Sequence, residues 1–324
     1  MKRDLATAAG GNWPVMLTPF NSDKSIDWHS LNNLIDWYLA AGCSGLFAVC
    51  QSSEMFELTD EERLQVAGHV VARVEGRVPV IATGTFSEVT DEQVRFINKI
   101  YDTGVTAVVT LTNFFAKADQ PDQVWIENMK RLVAKTGDIP LGIYECPVPY
   151  KRLLSAETVA WAVKSGKIFW SKDTSENIDQ IRTKLKIIQG SNLSLYNAHI
   201  GSLLESLQAG VAGFSGIDSN YYPRLYTWMC ENWEREPKLA EELQQFFNWG
   251  RMTIDVKYPR SAKHYLMMLG VIEGSDLRLK RDALNKTEIE NLDTLRRQAN
   301  GWLERLGLVN TTSNIKKPVE IEKG

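Results

Sequence analysis

The feature that most constrains this chain is a rhythm in which short apolar runs alternate with longer amphipathic stretches, eight times over, from residue 13 onward. The runs occupy 13–19, 45–50, 78–85, 107–112, 140–147, 168–174, 193–198 and 213–217. Each reads as a strand. The stretches between them carry helix signals. Asp27 can cap a helix whose apolar stripe is Leu31, Leu34, Ile35, Tyr38 and Leu39. Thr59 with Glu62, and Thr90 with Gln93, fit the capping box, in which a hydroxyl and a side chain three residues later satisfy free main-chain donors. Gly42, Gly104, Gly137, Gly166 and Gly210 stand where helices should end, and a left-handed cap suits a residue without a Cβ.

Eight strand-helix units over roughly 220 residues match a closed parallel barrel, whereas a doubly wound sheet more often has fewer strands. The expectation is an α/β fold, a (β/α)8 TIM barrel over 13–222. After Pro223 the strands stop, and a C-terminal helical appendage is expected over 223–308, with helices near 239–253, 260–269 and 286–306. The segment 309–324 is polar and aperiodic, which predicts a loose tail.

Composition excludes several classes of function. With 324 residues and 44% hydrophobic content, the chain can bury a full core. A net charge of -3 and the lack of any Lys/Arg run give no field for gripping a phosphate backbone, so nucleic acid is not an expected partner. Lys2 and Arg3 are followed by no long apolar run, and no later stretch approaches membrane-spanning length; the expectation is a cytoplasmic protein without a membrane partner. The four cysteines form no CxxC pair, and Cys43, Cys50 and Cys146 fall in or beside strands, as reduced core thiols would. His29, His69, His199 and His264 are scattered without HxxH or HExxH spacing, so no metal site is expected. Neither a GxxxxGK[ST] loop nor a GxSxG elbow occurs.

In a barrel of this kind chemistry sits at the C-terminal ends of the strands. Lys172 falls there, in Phe169-Trp170-Ser171-Lys172-Asp173, and an amine desolvated in such a place becomes a nucleophile toward carbonyl carbon. The plain alternative is a lysine that reaches solvent or pairs with Asp173. Tyr144 ends the neighbouring run, where a phenol can move protons or simply pack with its hydroxyl bonded. The turn Cys50-Gln51-Ser52-Ser53-Glu54 can present main-chain N–H groups and hydroxyls to a carboxylate, or be an ordinary polar loop.

Taken in order, Leu17-Thr18-Pro19-Phe20, the Cys50 to Glu54 turn with the Leu58 to Arg63 stretch after it, Ile143-Tyr144-Glu145-Cys146-Pro147 and Ser171-Lys172-Asp173 give the chain its likeness. It resembles the dihydrodipicolinate synthase and N-acetylneuraminate lyase group of Schiff-base barrels over most of its length. The resemblance implies an imine between Lys172 and a 2-oxo acid, commonly pyruvate, with Tyr144 shuttling protons. It implies that Ser52 and Ser53 hold the substrate carboxylate, that Gln51 and Phe115 stand at the relay positions, and that a carbonyl near Phe214 or Ser215 lines the pocket.

Departures from the family pattern limit the activity. Gln51 and Phe115 replace a threonine and a tyrosine that relay protons, and phenylalanine cannot carry one. Pro149 stands where the synthases place an arginine, and Ile200 and Gly201 stand where sialic acid lyases place an acidic pair. Authentic dihydrodipicolinate synthase and sialic acid lyase activities are therefore not expected. Phe114 and Phe115 predict a less polar, larger substrate. The expected function is a metal-independent class I lyase, aldolase or dehydratase, that needs no cofactor and acts on pyruvate or another 2-oxo acid as a homo-oligomer, dimer or tetramer. The alternative is a catalytically weak barrel that binds a 2-oxo acid as a sensor or structural partner.

Overall fold

In the computed structural model, which describes residues 10–308, eight parallel strands form one sheet in the order β1-β8-β7-β6-β5-β4-β3-β2. They are β1 Gly11–Asn12, β2 Leu46–Val49, β3 Val80–Thr83, β4 Ala107–Leu111, β5 Leu141–Tyr144, β6 Ile168–Asp173, β7 Ser194–Asn197 and β8 Gly213–Phe214. The sheet closes where the Met16 N–H donates to the Phe47 carbonyl and the Phe47 N–H donates to the Pro14 carbonyl, both at 3.0 Å, around a parallel bridge between Val15 and Phe47. The fold is a (β/α)8 TIM barrel.

All eight strands are shorter than their predicted runs, and in two the reason is visible. The first was expected at 13–19; its ladder to β8 occupies Gly11–Asn12, and Pro14, with no N–H to donate, helps to end regular pairing there. The eighth stops at Phe214 and turns into a short 3-10 segment, Ile217–Asn220. A Cβ on Gly213 would lie 2.0 Å from the Gly11 carbonyl oxygen, so only glycine lets β1 and β8 come this close.

The barrel helices are α1 Trp28–Ala40, α2 Asp60–Val74, α3 Thr90–Asp102, α4 Asp122–Thr136, α5 Ala156–Ser165, α6 Ile178–Ile188, α7 Leu203–Ala209 and α8 Pro223–Asn232. Asp27 caps α1 by accepting from Ser30 N–H, and Thr59 and Glu62 form a reciprocal capping box on α2. The box expected at Thr90 and Gln93 does not form. Val89 is the cap residue, Thr90 lies inside the helix, and the Gln93 amide is drawn away to the Ser87 carbonyl at 2.7 Å. All five predicted closing glycines adopt positive φ. Helix α8 was not anticipated; Pro223 begins it, since the first helical position needs no N–H, and it packs on β1 and β8.

The C-terminal helices α9 Pro237–Ile254, α10 Arg260–Met268 and α11 Lys286–Arg305 follow. The predicted tail, 309–324, lies outside the described residues. Among the described residues no helix is long and apolar enough to cross a membrane. Cys43, Cys50 and Cys146 are buried, and none of the four cysteines is in a disulfide.

One buried ion pair ties the C-terminal region to the barrel. Lys263 of α10 donates to Glu54 at 2.7 Å, both side chains being fully inaccessible, and Glu54 also accepts from Arg278 and Leu279 N–H. Removing one member of such a pair leaves a buried charge uncompensated. The expected outcome for Glu54→Ala is a loss of about 3–5 kcal/mol of stability, read as a lower denaturant midpoint than wild type.

Candidate active site

The period of two along a strand decides which side chains meet. Tyr144 ends β5 and pairs in register with Lys172 of β6, so both face the barrel interior. Glu145 and Asp173, next in sequence, face outward toward α6. There the Lys184 ammonium donates to Glu145 at 2.5 Å and to Asp173 at 2.6 Å, with all three side chains at most 3% exposed. Glu145 also accepts from the main-chain N–H of Leu154 and of Thr174, each at 2.7 Å, which fixes the loops after β5 and β6. Asp173 is thus committed to Lys184 and does not pair with Lys172.

Lys172 is buried, with its ammonium 4.6 Å from the centre of the Tyr144 ring. Below it Phe47 packs edge-on against Trp170, and Trp170 stacks on Tyr196. Phe47 and Trp170 come from β2 and β6, strands that meet only across the barrel interior. Burial in this aromatic surround pulls the Lys172 pKa from 10.5 to about 8, against the opposing influence of Cys50, Cys146 and Asp218. The charged form loses its hydration, so a useful fraction of neutral amine is present near neutral pH. Tyr144 donates to the Gln51 side-chain oxygen at 3.2 Å, and burial raises its pKa well above 10, so the phenol keeps its proton until a reaction removes it.

Above these groups opens a cavity of about 270 Å³, near the lower end for ligand sites. Gln51, Tyr144 and Lys172 line it together. The other residues singled out from sequence are placed differently. Ser53 Oγ accepts from Cys50 N–H at 2.9 Å and donates to the Cys50 carbonyl at 2.6 Å, so it is engaged in shaping its own turn. Ser52 is buried beside Tyr258. Phe214 stacks on Tyr226 of α8 at 5.0 Å, outside the cavity, and Ser215 Oγ is buried without a partner among the described residues.

Phe115 packs edge-on against Trp125 of α4 and does not reach the cavity, nor does Phe114. The aromatic walls predicted to favour a less polar substrate are therefore absent. In their place stand charged groups that sequence reading missed: Lys151, Glu176, His199, Asp218, Arg251 and Asp255. Arg251 and Asp255 come from the end of α9, far along the chain, and no local motif announces them. Arg152 is not among them; it is buried against Asp122 at 2.8 Å. A larger cavity, about 570 Å³ between α2 and α3, shares no residue with the Lys172 cavity.

The profile described as "Dihydrodipicolinate synthetase family" matches residues 8–298. The chain belongs to this family. Similar proteins include the 4-hydroxy-tetrahydrodipicolinate synthase of Shewanella piezotolerans, 26% identical over 83% of this chain and 91% of the relative. That of Gluconacetobacter diazotrophicus is 29% identical over 69% and 74%. Among solved structures, the dihydrodipicolinate synthase of Thermotoga maritima superposes with a TM-score of 0.81 at 19% identity, covering 90% of this chain and 99% of that one. An E. coli prophage protein of the same family, solved in complex with pyruvate, gives 0.80 at 19% identity over 90% and 98%. At these identities the structural likeness speaks for the barrel alone.

The Lys184 clamp yields a pH signature. In Lys184→Met two buried carboxyl groups face each other without a cation, and both pKa values rise above their unfolded values. Groups raised in this way contribute stability at low pH that is lost as pH climbs through the folded pKa. Lys184→Met is expected to lose stability steadily as pH rises above the ordinary carboxylate range, relative to wild type, in thermal melts across a pH series.

Proposed function

We propose that this protein is a class I lyase in which Lys172 forms an imine with a 2-oxo acid and Tyr144 moves protons at the reacting carbon. The observation that carries the reading is a buried amine, its pKa drawn down to about 8, set beside a protonated phenol at the C-terminal end of a (β/α)8 barrel. The neutral amine adds to the carbonyl carbon, and loss of water gives the iminium. That group then takes up the electron pair released when a C–H or C–C bond at the adjacent carbon breaks. Hydrolysis returns the lysine. The lysine supplies the electron sink, so the reaction needs no organic cofactor.

Tyr144 is suited to donate first, since burial keeps it protonated, and Gln51 orients its hydroxyl. With Ser53 committed to its turn, the 2-oxo acid's carboxylate would fall to Ser52 and the main chain of that turn. Every residue in this scheme lies in one chain. The synthase reaction named for the relatives is disfavoured. Phe115 and Gln51 cannot relay protons, Pro149 offers no charge, and Lys151 is held by the Thr174 carbonyl at 2.9 Å and by Glu176 at 3.5 Å.

Incubation with pyruvate and borohydride, followed by intact-mass measurement, tests the imine. A reduced adduct is expected on wild type and not on Lys172→Ala. The rate of adduct formation should rise as pH passes about 8 and level off above it, because only the neutral amine attacks. A rate independent of pH between 6 and 9 would count against Lys172 as the nucleophile. Tyr144→Phe should still trap pyruvate while turnover falls by about 10²–10⁴. No adduct with pyruvate or with larger 2-oxo acids would turn the reading to a barrel that only binds such acids.

A further inference from the structure

The outer wall of the Lys172 cavity carries acids and bases that already pair with one another. Glu176 is held in the left-handed region at φ 57°, unusual for a residue with a Cβ, and its carboxylate lies 3.5 Å from Lys151, 3.7 Å from His199 and 3.5 Å from Arg251. Arg251 also meets Asp255 at 3.2 Å. Burial lowers the His199 pKa, so the two fixed cations here, Lys151 and Arg251, already face two carboxylates. The rim is charge-balanced by its own side chains.

Asp218 is the exception. It sits in the 3-10 turn after β8, is 97% buried, and lines the same cavity as Lys172. Among the described residues no cation lies within 4 Å of its carboxylate, and no other residue donates a hydrogen bond to it. A buried carboxyl group without a partner is costly, and a ligand that donates to it recovers that cost. A cationic donor would meet Lys172 and Arg251, which both act electrostatically on this group. A neutral hydroxyl meets no such opposition.

We propose that Asp218 is a specificity-determining residue that accepts a hydrogen bond from a hydroxyl on the distal carbons of the substrate. The substrate class is then a hydroxylated 2-oxo acid, assembled from or cleaved to a hydroxylated aldehyde, rather than one with a second carboxylate. This rests on the imine at Lys172 proposed above. Burial raises the Asp218 pKa to about 7, in keeping with a carboxyl group that has not found its donor. An added anionic group would face three acidic side chains, Asp218, Glu176 and Asp255, with both cations already paired.

The test compares three aldehydes as partners for pyruvate: glyceraldehyde, its deoxygenated counterpart propanal, and the anionic succinic semialdehyde. Borohydride trapping of pyruvate runs in parallel. Wild type is expected to favour glyceraldehyde over propanal by about tenfold or more in kcat/KM, with succinic semialdehyde the poorest. Asp218→Ala should erase the preference for glyceraldehyde, mainly through KM, while pyruvate is still reduced onto Lys172. Asp218→Asn, which keeps the shape and an acceptor oxygen, should retain part of the preference. The trapped adduct certifies a folded site in each variant. A wild type that prefers succinic semialdehyde or propanal overturns the proposal. So does an unchanged aldehyde ratio in Asp218→Ala with trapping intact. Absence in wild type of any reduced adduct, with pyruvate or with larger 2-oxo acids, overturns the imine itself, and the role of Asp218 falls with it.

Discussion

The site depends on a buried ammonium that never meets substrate. Lys184 bridges Glu145 and Asp173, the outward-facing neighbours of Tyr144 and Lys172, and so pins the ends of two adjacent strands to the helix behind them. Each strand reverses the facing of its side chains at every residue, so fixing the outward carboxylates fixes the inward phenol and amine. Glu145 extends the clamp to the loops after β5 and β6 by accepting Leu154 and Thr174 N–H. A slip of one residue in either strand would put a carboxylate into the barrel and the amine into the helix layer.

Within that frame, desolvation does the chemical tuning. The rings of Phe47, Trp170 and Tyr144 leave the Lys172 ammonium little solvation, and among the described residues no carboxylate lies within ion-pair distance to restore its charge. Lys184 shows the opposite outcome under similar burial. Its two carboxylate partners raise its pKa and keep it charged. Two lysines, both buried, are thus assigned different roles by their partners alone.

The C-terminal helices belong to the site as much as the barrel does. Arg251 and Asp255 extend from α9 to its rim, while α10 is joined to the barrel through Lys263 and Glu54. The glutamate of the turn after β2 was read as part of a carboxylate-binding loop. Its carboxylate instead holds Lys263 and the main chain at Arg278 and Leu279, which makes it the anchor of the C-terminal region. The turn is shaped from within by Ser53, whose hydroxyl both accepts from and donates to Cys50.

The sequence by itself determined the barrel, because the alternation of apolar run and amphipathic stretch is a local signal repeated eight times and sheet closure follows from it. It also pointed to Lys172 and Tyr144, since a strand end is a recognisable place and the two strands are consecutive. It could not decide what those residues pair with. Asp173 adjoins Lys172 in the chain but faces Lys184, and Phe115 follows a strand end but packs against Trp125. Facing and packing depend on register and on helices far away in sequence. The tertiary structure alone placed Arg251, Asp255, His199 and Asp218 around one cavity, because no periodicity or spacing along the chain encodes a meeting between the last turn of α9 and the strand ends. The fold was written in local patterns, and the charge around the reactive amine was set by contacts across the barrel mouth.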